Sequence, residues 1–394
     1  VSPEPDGQPL AWVWKTIADR HVGRISLFKV VSGTIRPDTV LVNSRTRSDE
    51  RIHAPFTLRG REQLQVPDLA TGDMGAVAKL ADVATGDTLA PRGTPVSLDA
   101  PTLPEPLLSI AIKPRSKGDE DKLMTSLHRL QEEDPALRVR RDDETHQTLL
   151  SGMGETHLNV VTERLARKFG VEVLVEPPAV AYRETITAAA EAEGKYKKQT
   201  GDHGQFGVAN LRVEPRERGE GFEFVDRIVG GAIPRQYIPA VQKGIEEAMA
   251  SGGHYGYPVV DVRVTCFDGK FHPVDSSEMS FKMAGALGFR EALAKASPVM
   301  LEPLSRLEVT VPDAYQGDVL GDLNSRRGRV QGSEALGDGT SVITARVPSS
   351  EIQRYAIDLR SMTGGRGTFS VEFDHYDSMP HQLWDQVRRD VAAG

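Results

Sequence analysis

Short hydrophobic runs separated by turns make up the first hundred residues. Each run is rich in β-branched and aromatic residues, as in AWVWKTI, RISLFKVV, TVLVN and GAVAKL. Turn-forming groups stand between the runs, among them Ser32-Gly33, Thr71-Gly72-Asp73 and Thr85-Gly86-Asp87. Strands at this spacing without a helical period are typical of a small antiparallel barrel or sandwich. We therefore predict a β-barrel domain over residues 1–100.

Residues 101–177 alternate between strand-like and helix-like patterns. The first helix is expected to start at Asp119, as its N-cap, and to stop before Asp134. Its apolar positions recur at helical spacing at Leu123, Leu127 and Leu130. A second helix carries Leu158, Val161, Leu165 and Phe169. With the strand-like runs around them, the order is βαββαβ, which predicts a ferredoxin-like domain.

The same order of elements returns over residues 301–394. Its first helix is expected to end at Arg326-Arg327-Gly328. Its second helix is expected to end at Gly364-Gly365, where a C-cap glycine is usual. We therefore predict a second ferredoxin-like domain, and a multidomain α+β protein as a whole.

We predict a ribosomal-protein-like α/β domain with a projecting tip over residues 178–300. Strand-like runs are followed by a helix from about Pro234 and by the alternating strand PVVDVRVTCF. Asp275 and Glu278 are expected to form a capping box for a further helix that runs to Lys295. A glycine-rich turn at 201–207 and a loop at 268–273 are expected to project from one end of the sheet.

Composition narrows the class of protein. Charged residues make up 26% of the chain and the formal net charge is −8, which argues against a general polyanion binder but allows local basic faces. No apolar run approaches the roughly 18 residues that span a bilayer, and the first residues do not resemble a signal peptide. The single cysteine, Cys266, excludes an internal disulfide framework. A cytoplasmic protein without membrane contact is expected.

No catalytic constellation stands out in the sequence. The chain lacks GxxxxGK[ST], and Gly321–Gly328 lacks the ending of that phosphate loop. Asp275-Ser276-Ser277 beside His272 could suggest a nucleophilic triad, but a helix N-cap explains these residues more simply. The groups considered for a metal lack ligand-pair spacing: His203, His254, His272, Asp261 and Asp275. We expect no catalytic or metal site here, and a free-standing enzyme using His272 is the least favoured alternative.

Basic residues gather at two places that suit nucleic acid. The first is the hairpin tip, comprising Lys195, Lys197, Lys198, Gly201, Asp202, His203, Gly204, Gln205, Phe206 and Gly207. Lysines there would attract phosphates, and glycines would allow close approach to another backbone. The second lies at helix ends and comprises Arg326, Arg327, Arg329, Gly364, Gly365 and Arg366. Arginines can bind phosphates bidentately, or they can satisfy the carbonyls of their own helices.

Collinear stretches along the chain resemble elongation factor G, the ribosomal translocase. They include HVGRISLFKVVSGTI, LQEEDPALRV, SGMGETHLNVV, GFEFVDRIVGGAIPRQYIPAVQKGIEEAM, FHPVDSSEMSFKMA, GDVLGDLNSRRGRVQG and YAIDLRSMTGGRGTFSVEFDHY. The resemblance implies domains II to V of that family, without its GTPase domain. GTP and Mg²⁺ would belong to that missing domain, so no cofactor is expected on these domains.

The resemblance also implies partners and site roles. The fourth domain would enter the decoding region, where residues 201–207 and His272, at the family's functionally important histidine, would touch the tRNA–mRNA duplex. The turns at Arg326–Arg329 and Gly364–Gly367 would meet RNA of the large subunit. Expected partners are ribosomal RNA and proteins, the tRNA–mRNA complex and, as a further candidate, ribosome recycling factor. The protein is expected to be a monomer.

The tip departs from the family pattern. The family usually reads GGRGQYGH, whereas this chain reads GDHGQFGV. Asp202 places a carboxylate beside RNA phosphates, and His203 replaces an arginine. Phe206 and Val208 stand where tyrosine and histidine are usual. These changes suggest a diverged paralogue and leave translocation, ribosome recycling, ribosome protection or another ribosome-binding role open.

Overall fold

The protein is described by a computed structural model over residues 2–19, 22–94, 96–200 and 203–387. The chain forms two compact units, Val1–Ala179 and Val180–Gly394. Both units combine helices with largely antiparallel sheets, which confirms the predicted multidomain α+β fold class. Within the described residues, no helix is long and apolar enough to cross a lipid bilayer. The predicted boundaries of the four domains stay predictions.

The first unit begins with a curled antiparallel sheet. Its strands are β1 (Leu10–Asp19), β2 (Gly23–Ser32), β3 (Thr34–Ile35), β4 (Thr39–Asn43), β5 (Asp49–Ile52), β6 (Phe56–Arg59), β7 (Glu62–Gln65), β8 (Leu69–Ala70), β9 (Met74–Ala78) and β10 (Thr88–Ala90). Eight of them follow the order β5-β4-β10-β1-β2-β9-β6-β7, while β3 pairs with β8. Alternate side chains point inward, so that Val13, Phe28 and Leu41 are fully buried in one core. The predicted barrel is thus a half-barrel.

The rest of the first unit is a ferredoxin-like domain. Its elements are β11 (Leu108–Pro114), α1 (Glu120–Glu133), β12 (Arg138–Arg141), β13 (Thr148–Gly152), α2 (Glu155–Phe169) and β14 (Val173–Glu176). The sheet order β12-β13-β11-β14 confirms the predicted βαββαβ fold. The helix α1 ends before Asp134, as predicted. The predicted side-chain cap at Asp119 is wrong, because its backbone (φ −87°, ψ 8°) is not extended and its carboxylate accepts no bond from the helix.

The second unit opens with an α/β domain. Its elements are β15 (Arg183–Ile186), β16 (Ala190–Thr200), β17 (His203–Pro215), β18 (Glu223–Asp226), α3 (Ile238–Ser251), β19 (Val262–Lys270) and α4 (Glu278–Lys295). The sheet order is β16-β17-β19-β18, with β18 parallel to β19. Both helices share a buried core with the sheet. A 3₁₀ turn at Arg235–Tyr237 precedes α3, so the α-helix begins at Ile238, later than predicted.

The start of α4 also differs from the prediction. Ser277 has extended backbone angles and its hydroxyl accepts a hydrogen bond from the Ser280 N–H at 3.2 Å. Ser277 is therefore the N-cap, and the predicted capping box of Asp275 and Glu278 is wrong. The physical reason is that the Asp275 carboxylate accepts a bond from the hairpin instead, as described below.

The last part of the chain repeats the ferredoxin-like order. Its elements are β20 (Pro298–Pro312), α5 (Gln316–Ser325), β21 (Arg329–Ala335), β22 (Thr340–Pro348), α6 (Tyr355–Thr363) and β23 (Thr368–Ser378). Strand β23 pairs with β20 on the side away from β22, which gives the order β23-β20-β22-β21. The first half of β20 also pairs with β15, with Leu301 opposite Arg183. One 15-residue strand therefore belongs to both domains of this unit.

Candidate nucleic-acid interface

The predicted tip is the free end of the hairpin formed by β16 and β17. The strands pair antiparallel, with Lys197 opposite Phe206. Its basic side chains are exposed, namely those of Lys195, Lys197 and Lys198. The predicted site residues that lie outside the described residues are Gly201, Asp202 and the side chain of His203. The described part of the hairpin therefore presents the three lysines to solvent.

Close packing against the chain itself explains the glycines of the hairpin. A Cβ atom at Gly194 would overlap the carbonyl oxygen of Ala284 in α4. A Cβ atom at Gly207 would lie 3.0 Å from the backbone of α4, and one at Gly204 would lie 2.9 Å from the Asp275 carboxylate. Real Cβ atoms rarely come this close to fixed backbone. The close approach at Gly204 and Gly207 is thus to α4 and its preceding loop, an explanation that needs no partner.

The loop between β19 and α4 is hydrogen-bonded to the hairpin. The Phe206 N–H donates to the Asp275 carbonyl oxygen at 2.8 Å, and the Gly204 N–H donates to Asp275 Oδ1 at 3.1 Å. The Ser276 hydroxyl donates to the Phe206 carbonyl oxygen at 2.7 Å. The rings of Phe206 and His272 meet edge to face with centroids 6.5 Å apart. Residues 203–207 of the glycine turn and the His272 loop therefore lie at one end of the sheet, as the sequence indicates.

The imidazole of His272 is anchored on one side and open on the other. Its Nδ1 atom accepts a bond from the Asp275 N–H at 3.2 Å and lies 3.3 Å from Asp275 Oδ2. The first contact requires a bare Nδ1, and in the neutral ring the proton then lies on Nε2. With 52% of its side chain exposed, His272 offers a hydrogen-bond donor to a partner.

The serines beside His272 are bonded to backbone atoms. The Ser276 hydroxyl contacts the Phe206 carbonyl oxygen and the His272 N–H, and Ser277 caps α4. Neither hydroxyl is hydrogen-bonded to the imidazole, the contact that an activated nucleophile requires. Across the part of the chain that the structure describes, no three His, Cys, Asp or Glu residues are placed to hold a metal ion.

A third loop, residues 227–234, lies at the same end of the sheet and is not among the predicted site residues. It follows β18, which runs parallel to β19, so both strands end there. The Ile233 side chain lies over Gly269, and the Tyr237 hydroxyl donates to the Ser276 carbonyl oxygen at 3.2 Å. The side chain of Val229 is 82% exposed. Its glycine pair, Gly230-Gly231, adopts positive φ at 68° and 73° and is a local sequence signal of a turn.

Arg327, predicted to contact RNA, is engaged within the protein. Its Nη1 lies 2.7 Å from Glu302 Oε1, and its Nε lies 3.1 Å from Glu351 Oε1. The hydrogen bond to Glu302 is the main cause that raises the pKa of the Arg327 guanidinium. Glu302 is only 3% exposed, so Arg327 compensates a buried charge. Its own backbone has φ 58°, which places it in the turn after α5.

Arg326 is engaged in the same way. It pairs with Asp322 and Asp358, each at 2.8 Å, and its guanidinium lies 5.2 Å from the ring centroid of the buried Tyr355. Burial raises the pKa of the Tyr355 hydroxyl, which stays neutral beside these charges. Arg326 and Arg327 are thus both engaged within their own domain, by carboxylates instead of the helix-end carbonyls that were the predicted alternative.

The turn after α6 keeps an exposed arginine. Gly364 ends the helix in the left-handed conformation (φ 60°), and the Gly365 N–H donates to the Arg360 carbonyl oxygen at 2.8 Å. This confirms the predicted C-cap glycine. Arg366 is exposed, its guanidinium lies 4.8 Å from the Tyr315 ring centroid, and it donates to the Tyr315 hydroxyl.

Arg329 stands in a row of arginines on the sheet face opposite α5 and α6. It lies directly across from Arg346, which in turn lies across from Arg306. Like charges at such positions repel. Carboxylates offset two of them, since Arg346 Nε lies 2.9 Å from Asp374 Oδ2 and Arg306 Nη2 lies 3.5 Å from Glu308 Oε2. Arg306 and Arg346 are not among the predicted site residues, because only the strand register brings them beside Arg329.

Comparison with known proteins gives matches along the whole chain. Four families match, described as "Elongation factor G domain 2" (residues 9–91), "Elongation Factor G, domain III" (103–177), "Elongation factor G, domain IV" (178–297) and "Elongation factor G C-terminus" (299–387). Among solved structures, the crystal structure of ttk003000868 from Thermus thermophilus is similar, with 39% identity and a TM-score of 0.84. The match covers 99% of this chain and 58% of that chain.

The half-barrel, the two ferredoxin-like domains and the α/β domain with its basic tip are those of a multidomain translation factor. Matches to four successive parts of one family, in chain order, narrow this class further. The chain belongs to the elongation factor G family.

Proposed function

We propose that this chain carries the ribosome-engaging domains of a translation factor that promotes GTP-driven movement of tRNA and mRNA. Its α/β domain would enter the decoding region, with the hairpin and the His272 loop against the tRNA–mRNA duplex. The observation that carries this proposal is the joining of the two loops by the Phe206–Asp275 and Ser276–Phe206 hydrogen bonds into one surface beside three exposed lysines. A firm, cationic surface suits contact with an RNA backbone.

The last domain would meet ribosomal RNA of the large subunit in the same cytoplasmic complex. We base this on the row Arg306, Arg346 and Arg329 and on the exposed Arg366, since guanidinium groups bind phosphates well. GTP and Mg²⁺ would be bound by a GTPase domain in a longer protein that contains this chain. The chain's own contribution would be binding and positioning.

The experiment that tests this proposal follows one codon of movement. Ribosomes with peptidyl-tRNA in the A site are given the longer protein, which carries a GTPase domain, with GTP, and the mRNA position is read by toeprinting. The expected result is stimulated GTP hydrolysis with a shift of about three nucleotides, the length of one codon. Hydrolysis without the shift would overturn translocation as the function, and this chain alone serves as the control without GTPase.

A role in ribosome recycling or protection is the second candidate. The departure of the tip from the family pattern favours it, because Asp202 and His203 weaken a contact with RNA phosphates. Subunit splitting in the presence of ribosome recycling factor, without any mRNA shift, would support recycling. Restoring the usual residues by Asp202→Gly and His203→Arg is expected to speed translocation if the tip limits it.

A further inference from the structure

Ser276 is hydrogen-bonded to several segments at the tip. Its hydroxyl accepts a bond from the His272 N–H at 2.8 Å and donates to the Phe206 carbonyl oxygen at 2.7 Å. Its N–H donates to the His272 carbonyl oxygen at 3.2 Å. Its carbonyl oxygen accepts from the Tyr237 hydroxyl at 3.2 Å. One residue thus contacts the His272 loop, the hairpin and the turn before α3.

We propose that Ser276 is a positioning residue that locks the His272 loop to the hairpin, so that both loops act on RNA as one body. A serine hydroxyl can donate one bond and accept another at the same time, which is what the Phe206 carbonyl and the His272 amide require. Alanine would leave both groups without this partner. The Phe206–Asp275 backbone bond would remain, so the loop would loosen while the domain stays folded.

Ser277 provides a matched control on the adjacent residue. Its hydroxyl accepts from the Ser280 N–H and contacts the Ser280 hydroxyl at 2.9 Å, so its described hydrogen bonds lie within α4. Ser277→Ala removes a helix cap, whereas Ser276→Ala removes a link between two loops. Ser276→Thr retains the hydroxyl and is the conservative variant that should restore the link.

The first test measures hydrogen exchange on this chain by mass spectrometry. We expect peptides that cover residues 203–208 and 271–276 to exchange roughly tenfold faster in Ser276→Ala. This is about the effect of losing the two hydrogen bonds of the hydroxyl group. Ser277→Ala should leave these peptides unchanged, and Ser276→Thr should restore protection. Equal exchange in Ser276→Ala and the unchanged protein, or the same acceleration in Ser277→Ala, would overturn the positioning role.

The functional consequence rests on the proposed function and has its own readout. In the longer protein, Ser276→Ala should increase the fraction of ribosomes that stop out of frame by several fold while GTP hydrolysis is unchanged. A general loss of structure would instead lower both GTP hydrolysis and the amount of mRNA that is moved. In-frame movement by Ser276→Ala at the unchanged rate would overturn this consequence. If the unchanged protein does not move mRNA at all, the proposed function fails, while the exchange result still decides whether Ser276 holds the loops together.

Discussion

The carboxylate of Glu184 is buried and hydrogen-bonded to backbone in the second unit. Glu184 is 0% exposed, and its Oε1 accepts bonds from the backbone N–H groups of Tyr255 and Tyr257, each at 2.8 Å. Its Oε2 has no hydrogen-bond partner among the described residues. Burial therefore raises the pKa of Glu184, and the backbone donors offset only part of that effect. Burial of the charged carboxylate is unfavourable, but its hydrogen bonds hold the loop around Tyr255 and Tyr257.

Substitution of Glu184 should change how the free energy of unfolding depends on pH. Between the ordinary glutamate pKa of about 4.3 and the raised folded value, the folded state retains a proton that the unfolded state has lost. The free energy of unfolding should therefore fall as the pH rises through this range. Glu184→Gln should abolish that decline, while Glu184→Ala should destabilise by about 2 kcal/mol at every pH, because two amides lose their acceptor. Urea unfolding as a function of pH is the measurement, and an unchanged decline in Glu184→Gln would contradict the assignment.

Neighbouring arginines in the last domain should respond in opposite ways. Arg327→Ala leaves the buried Glu302 without its partner and should lower the free energy of unfolding by about 3 kcal/mol. Arg329→Ala removes an exposed charge and should leave stability within about 0.5 kcal/mol. Ribosome binding should be weakened by Arg329→Ala and not by Arg327→Ala. The slope of log affinity against log salt concentration should fall by about one for Arg329→Ala only. Denaturation and co-sedimentation across a salt series measure the two effects, and a weakened salt slope in Arg327→Ala would contradict the division.

At the scale of elements, α3 and α4 pack through glycines. A Cβ atom at Gly285 in α4 would lie 2.5 Å from the Val241 carbonyl oxygen in α3. By contrast, nothing lies within 4 Å of a Cβ atom built at Gly321, an exposed position in α5. Helix propensity favours alanine at both positions, so packing decides whether a glycine-to-alanine substitution stabilises or destabilises the protein.

The two glycines form a matched pair for substitution. Gly285→Ala should destabilise by about 1–3 kcal/mol, because backbone must move to admit a methyl group. Gly321→Ala should stabilise by up to about 1 kcal/mol. Thermal unfolding of both variants measures the difference, and stabilisation by Gly285→Ala would show that the helices do not approach this closely.

Most elements could be predicted from the sequence, but their first residues could not. The apolar period fixes a helix and its buried face, as Leu123 and Leu127 do for α1. The cap depends on which residue adopts extended backbone angles and on competing partners. Asp275 looks like a cap in the sequence, yet the Gly204 amide takes its carboxylate and Ser277 caps α4.

The candidate site could be predicted from residues that are local in the chain and from the family resemblance. The lysines and glycines of the hairpin stand together in the sequence, whereas His272 lies beyond β18, α3 and β19 and is assigned to the tip by the resemblance. Arg306 and Arg346 are 40 residues apart and meet only through the register of β20 and β22. The engagement of Arg327 by Glu302 depends equally on the fold, since β20 and the turn after α5 come together there. Long-range pairing of this kind leaves no mark in a single sequence.

At the scale of the whole molecule, β20 ties two domains of the second unit together. It pairs with β15 over residues 298–301, with β23 over residues 301–310 and with β22 over residues 304–312. We therefore expect residues 180–394 to unfold in one cooperative transition, because neither domain can lose β20 without disrupting the other. Calorimetry of this fragment should give equal calorimetric and van't Hoff enthalpies. Two resolved transitions would contradict a shared strand.

A strand held in common also limits how such proteins can exchange parts during evolution. Recombination at residue 300 would build β20 from two parental sequences. Each part of the strand would then have to pair in register with strands from the other parent. Recombination between Ala179 and Val180 divides no strand. The segments 178–297 and 299–387 should therefore share one genealogy across the family, whereas the segment 9–91 is free to have another. Discordant trees for the first two segments would count against this common inheritance.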